Sequence, residues 1–429
     1  VPGREGLAVK KALYLLALLF CLFPYTQIVP LDSYTQPYAI IFSLLALIVA
    51  IPLVQERFPR ADLAALVILA LAGVIGFVLT SLPRPNAQEY KYLLIYASPM
   101  VFALAAFAVT LEYPKLTDRV ILWASVAWMV TGAIQATIAP GFLTALIGEF
   151  GETAGVSLES GRGTLGFAPE PTHFGFHMVI LATLLVLVGG RNLLALACLA
   201  TAVLLARSSS AVLALTLGGI IYVAIFGRWA RLLLVAVIPL YFLLGVVLGA
   251  DILPGDIRLV ALLKEFYYDP WYLITSDASA NARLGGIFVG MQEIGRNLLI
   301  PAGLSWEHWQ EAVGPALSRN SWLLFLSDAG IPSGTLIVVY QLGVLGLALM
   351  AYVHLRLLRG TQSHLEALLI CAMVFVFLSQ YMISTPGFGL VFGVITARRA
   401  LAMRNSRDGR PAEPTAPPGA YAAQTPLPA

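Results

Sequence analysis

Glu170 and His173 stand three residues apart in the stretch Arg162-Gly163-Thr164-Leu165-Gly166-Phe167-Ala168-Pro169-Glu170-Pro171-Thr172-His173-Phe174-Gly175, where a polar segment runs into an apolar one. Imidazole and carboxylate side chains are the usual carriers of protons in general acid-base catalysis. At the entrance to a membrane both are costly unless paired or hydrated, so the position itself argues for a task. Pro171 suits the first turn of a helix, which puts Glu170 at that helix's N-terminus, where the dipole favours its charged form. The simpler reading is a helix cap that also pairs with Arg162. His173 and His177 share one helical face at i, i+4. That spacing can bind a metal, but no third ligand lies nearby in the sequence and no metal site is assigned.

Arginines supply the complementary charge. Arg207 opens the stretch Arg207-Ser208-Ser209-Ser210 at the end of an apolar block, where its fork of donors matches the oxygens of a phosphate at headgroup level. A long polar segment carries Asn281, Arg283, Arg296, Trp306, His308 and then Arg319-Asn320-Ser321-Trp322. Several arginines spread over one loop can surround a diphosphate without a metal. Taken singly, each also fits a solvated or lipid-facing contact. The chain has no Walker loop, no GxGxxG with an acidic partner, no HExxH and no DxD. No cofactor is assigned, and a donor delivered within the membrane fits better than one carried by a soluble nucleotide with a bound metal.

The elements that must position these residues follow from composition. Of 429 residues 59% are hydrophobic and 11% charged, whereas a soluble domain carries about 25% charged residues. The apolar residues come in blocks of the length a helix needs to cross about 30 Å of hydrocarbon. Twelve spans are predicted, near 11–30, 38–54, 62–82, 92–111, 120–139, 172–189, 192–206, 211–227, 232–250, 335–355, 365–383 and 386–400. With the N-terminus inside, 17 of the 26 Lys and Arg fall on the cytoplasmic side and 15 of the 23 acids on the outer side, as the positive-inside rule requires. Residues 1–404 thus form one transmembrane domain with long outer loops at about 140–171 and 251–333, the second holding an amphipathic stretch around 280–299 suited to lie on the membrane. The Pro-rich tail 405–429 is expected to be disordered in the cytoplasm. Cys21, Cys198 and Cys371 sit in apolar blocks without metal spacing and read as core residues. The net charge of +3 is no nucleic-acid footprint. Neither a sequence repeat nor a pair of interrupted helices is evident.

On these residues the chain resembles the bacterial O-antigen and exopolysaccharide polymerases (Wzy-type), which share a superfamily with the O-antigen ligases. The resemblance covers about residues 11–402: many spans, one large periplasmic loop late in the chain, a short helical return and inward termini. Its motifs are Gly166 to Gly175, similar to the family's "F.EPS.F" element, the pair Arg207-Ser208, the loop arginine Arg283, and Asn320-Ser321-Trp322-Leu323 leading to Gly330-Ile331-Pro332-Ser333-Gly334. Thr172 replaces the usual Ser. Arg319 stands where ligases tend to carry a His, which favours polymerase over ligase. The resemblance implies an all-α, GT-C-like glycosyltransferase of the bacterial inner membrane. It would join oligosaccharide repeat units carried on undecaprenyl diphosphate, with inversion and without metal, and a chain-length regulator protein is a possible partner. Glu170 would be the base, with His173 second. Arg207 and Arg283 would hold the diphosphate, with Arg162 and Arg319 in reserve and Asn320 and His308 in the substrate region. A ligase transferring glycan to lipid A-core and a lipid-linked oligosaccharide flippase are the alternatives.

Overall fold

A computed structural model of the chain describes residues 4–29, 35–81, 87–147, 163–226, 261, 264–265, 267–276, 278–326, 330–379 and 381–407. The described residues form helices and connecting turns, with no strand among them. The helices are α1 (Arg4–Leu22), α2 (Tyr38–Arg57), α3 (Arg60–Ser81), α4 (Ala87–Glu112), α5 (Pro114–Thr137), α6 (Pro171–Gly189), α7 (Asn192–Leu204) and α8 (Ser209–Phe226). Then follow α9 (Pro270–Ser276), α10 (Ala278–Arg296), α11 (Trp306–Arg319), α12 (Gly334–Leu358), α13 (His364–Ser379) and α14 (Pro386–Arg407). The expected ninth span at 232–250 lies outside the described residues, as does most of the tail. α14 runs three residues into the stretch expected to be tail, to Arg407.

Among the described residues six helices are long and apolar enough to cross a membrane: α2 to α6 and α12. The exposed faces of α2 and α3 carry Ile41, Leu44, Ile48 and Ile51, and Leu71, Ile75, Val78 and Leu79. A continuous apolar face of this kind is at odds with water and suits lipid, where a helix satisfies its own backbone. The protein is therefore an all-helical membrane protein. Helices pack where small residues let backbones approach. Gly389 and Gly393 of α14 lie so close to Phe102 and to the Ala103 carbonyl of α4 that a Cβ at either glycine would collide.

Ion pairs tie helix ends together at one end of the bundle. Lys10 meets Glu112 at 2.6 Å, Arg191 meets Asp118 at 2.6 Å, Arg356 meets Asp62 at 2.7 Å and Arg398 meets Glu366 at 3.0 Å. The charge pattern assigns all eight residues to a single side. The chain connects them in the same sense, because α4 leads through Tyr113 directly into α5 and Gly73 of α3 packs on Tyr96 of its antiparallel neighbour α4.

Besides the earlier starts of α4 and α5 and the longer α14, three spans differ from expectation. α1 stops at Leu22 rather than near residue 30, because Pro24 lacks an N–H and restricts the residue before it. α13 ends at Ser379, and 381–385 are non-helical ahead of Pro386. The largest difference is in α12, where the expected single span is folded at Gly343, with φ 59 and ψ −135. Thr335 Oγ1 and His354 Nε2 are 3.0 Å apart although 19 residues separate them, a distance of about 28 Å in a straight helix. Length alone counts α12 as a span, but its second arm returns beside the first. The segment 299–303 satisfies the groups freed at the bend: Ala302 N–H donates to the Tyr340 carbonyl (3.1 Å), Gly303 N–H to that of Gln341 (3.1 Å), and Val344 N–H to that of Leu299 (3.1 Å). Non-helical backbone inside a membrane bundle is tolerated where protein covers it in this way.

Gly343→Ala should therefore destabilise the protein strongly. A Cβ there would meet the Leu299 carbonyl and Pro301, and the backbone strain alone is about 1–3 kcal/mol. Thermal unfolding in detergent measures it, and an unchanged midpoint would rule out the folded-back α12.

Candidate functional site

The polar segment before α6 is shaped by a residue that sequence reasoning passed over, the buried Gln135 of α5. Its Oε1 accepts from Leu165 N–H (3.1 Å) and Gly166 N–H (2.7 Å), and its Nε2 donates to the carbonyls of Gly166 and Phe142, both at 2.9 Å. A buried amide with both ends satisfied fixes a turn, since leaving either end unpaired costs about 1–3 kcal/mol. Gly166 has φ 59, and a side chain there would strike Phe174. On the other flank, Thr164 N–H donates to the Leu205 carbonyl at 3.0 Å, and Gly163, with φ 106, lies against the Ala206 carbonyl. The segment is thus held between α5 and the end of α7, and it delivers Glu170 to the start of α6.

Glu170 occupies the N-cap position with extended backbone, but its side chain makes no cap hydrogen bond. It turns instead to Arg283 of α10, with Oε2 3.9 Å from Nη2. Arg283 Nη1 donates to Ser210 Oγ of α8 at 3.1 Å. The carboxylate–guanidinium separation is beyond hydrogen-bond length, and both groups keep partial access, at 35% and 25% exposure. The expected partner, Arg162, lies outside the described residues.

Behind Glu170, His173 is held by aromatic rings from the two ends of the chain. Tyr25, just after α1, stacks on it at 5.8 Å between centroids, and Tyr381, in the break between α13 and α14, approaches at 6.0 Å. The two tyrosine hydroxyls hydrogen-bond to one another. His177, one turn further in, packs on Trp128 at 4.4 Å, and its Nε2 lies 2.8 Å from the Leu22 carbonyl. That carbonyl also accepts from Trp128 Nε1 at 2.9 Å. A carbonyl only accepts, so Nε2 carries the proton and His177 is committed to the core. Among the described residues no three His, Cys, Asp or Glu side chains gather as a metal site requires.

Arg283 owes its place to α10, which matches the amphipathic stretch expected around 280–299. Asn281, fully buried, donates from Nδ2 to the carbonyls of Ile274 (3.1 Å) and Trp322 (2.6 Å) and accepts from Phe325 N–H at 2.9 Å. Gly285, Gly286 and Gly290 let α10 lie close against Leu323, Pro332 and Ile331. Pro332 leads into Ser333 and Gly334, and Gly334 abuts the backbone of Tyr381. The loop helix carrying Arg283 and the aromatic floor under His173 are thereby braced against each other.

Arg207 follows α7 in a left-handed conformation, φ 46, uncommon for a residue with a side chain. Its neighbour Ser208 lies against Gly175 of α6 and caps α8 by accepting from Ala211 N–H at 3.1 Å. The segment bearing Arg207 therefore meets α6 at Gly175. His308, Arg319 and Asn320 belong to α11 instead. His308 Nδ1 donates to the Ala302 carbonyl at 2.8 Å, Asn320 Nδ2 donates to the Ala316 carbonyl at 2.9 Å and so ends the helix, and Arg319 is exposed.

The structure brings together Glu170, His173 and Arg283, and it adds Gln135, Ser210, Tyr25 and Tyr381. The residue types around them gave no sign of this: two tyrosines in apolar blocks and a glutamine inside a span have no spacing that links them. Chemically the site sets a carboxylate able to accept a proton beside a guanidinium able to hold an oxyanion. No protein-family model matches this chain, nor does any curated protein sequence.

Proposed function

We propose that this membrane protein is a polysaccharide polymerase, joining oligosaccharide repeat units carried on undecaprenyl diphosphate at the membrane face where α6 begins. The observation that carries the reading is the Glu170–Arg283 pair, assembled from a membrane helix and a loop helix with His173 behind it. Arg283, with Arg207, holds the donor diphosphate. Glu170 accepts the proton from the attacking sugar hydroxyl as that oxygen bonds to the anomeric carbon of the growing chain. The bond from that carbon to the diphosphate breaks, and undecaprenyl diphosphate leaves with the electron pair. Attack opposite the leaving group inverts the anomeric carbon. Without donor, Glu170 and Arg283 neutralise each other. An arriving diphosphate offers the guanidinium a more highly charged partner and releases the carboxylate to act as base.

The test is elongation: purified protein in liposomes with lipid-linked repeat units from the producing cells should yield a ladder of polymer. Folded protein that leaves those units as monomers would sink the proposal.

This reading also places α6's start, α10 and α11 outside the cell and the ion-paired end inside. Ser305, at the start of α11, is buried, so the exposed Ser318 is the better reporter. A membrane-impermeant thiol reagent should modify Ser318→Cys in intact spheroplasts and spare Lys115→Cys, against a low background because Cys21, Cys198 and Cys371 are buried. The reverse pattern would invert the protein in its membrane.

A further inference from the structure

The ion-paired end of the bundle holds more positive charge than its carboxylates neutralise. α6 separates this end from Glu170, since its 19 residues span about 28 Å and Arg191 just beyond it pairs with Asp118. Asp62, wholly buried at the start of α3, accepts from Arg356 Nε (2.7 Å), Arg356 Nη2 (3.0 Å) and the Tyr352 hydroxyl (2.8 Å). Glu366 is likewise taken by Arg398, at 3.0 Å. Two further arginines stand beside these pairs. Arg399 lies within electrostatic reach of Arg356, Arg359 and Asp62. Its Nη1 is buried without a hydrogen-bond partner among the described residues. Arg359 is exposed at the end of α12, and the next residue, Gly360, packs on Ile395 of α14, one turn before Arg399.

Arg356 and Arg399 thus share a single carboxylate that Arg356 already occupies, and Arg359 brings a third guanidinium beside Arg399. Like charges this close repel unless an anion joins them. The excess lies between two membrane helices at the level where their ends meet the headgroups, and basic pockets of this kind take lipid phosphates.

We infer that Arg359 and Arg399, beside the Asp62–Arg356 pair, form a binding site for a phosphate group at this end of the bundle, with an anionic lipid headgroup or a free phosphate as its source. The phosphate bridges the two arginines, and the buried Asp62 pair fixes the helices that carry them. The site stands apart from the proposed polymerase site and does not depend on that reading.

Native mass spectrometry of the full chain in mild detergent tests it, with phosphatidylglycerol, phosphatidylcholine of the same acyl chains, and inorganic phosphate as probes. Phosphatidylglycerol should bind in preference to phosphatidylcholine, and Arg359→Ala/Arg399→Ala should weaken it about 30-fold, the expected loss for two headgroup-facing arginines. If the alanine variant fails to fold, Arg359→Gln/Arg399→Gln keeps volume and removes the same charge. The control is Lys115→Ala/Arg119→Ala, which takes two exposed cations from the same end of the bundle and should leave binding unchanged. Binding of inorganic phosphate that depends on Arg359 and Arg399, without preference for phosphatidylglycerol, would identify the free anion as the source. An equal loss in the control variant, or no loss in either Arg359/Arg399 variant with either probe, would overturn the site.

Discussion

Glu170→Gln should lower turnover about 100-fold or more while leaving donor binding intact, the usual scale for removing a general base. Initial rates of polymer formation in liposomes give the turnover, and retention of lipid-linked units by the same variant gives binding. Structural explanations predict far less. The Glu170 side chain makes no cap hydrogen bond, and loss of charge at a helix N-terminus costs about 1 kcal/mol or less. Its pairing with Arg283 is 3.9 Å long and partly exposed, a geometry worth about 0–1 kcal/mol. A Gln variant that polymerises at near wild-type rate would remove Glu170 from the chemistry and pass the base to His173 or to the diphosphate itself.

Arg283→Ala should reduce turnover by about 100- to 1,000-fold, the range seen when one donor that stabilises developing charge is removed. Arg283→Lys should still lose about tenfold or more, because one ammonium on a flexible stem cannot hold Ser210 and present a planar fork to phosphate oxygens together. A lysine variant as active as wild type would mean that charge alone is read there. The double variant separates the roles further. If Arg283 and Glu170 serve one step, Glu170→Gln/Arg283→Ala should be less damaged than the product of the single losses, whereas multiplying losses would mean that the residues act independently.

Several features were already legible in the chain. Blocks of apolar residues long enough to satisfy their own backbone in lipid made a helical membrane protein the only economical fold, and α2 to α6 lie close to where those blocks predicted. Alternating charge between blocks sorted the charged residues by side without naming partners, and the four ion pairs join residues sorted to the same side. Pro171 and the polar stretch before it marked Glu170 as the start of a helix, a local matter of backbone geometry. What the sequence could not reveal were features produced by contacts between distant segments. The fold in α12 depends on residues 299–303 arriving to accept and donate at Gly343, and a glycine in an apolar run is otherwise unremarked. Arg283 became a partner of Glu170 because Asn281 and three glycines dock α10 onto 322–326 and 330–332. His173 and His177 carry the same side chain on one helix face, yet one is committed to the Leu22 carbonyl and Trp128 while the other faces Tyr25 and Tyr381. Spacing makes such residues alike, and only the neighbours supplied by tertiary packing make them different.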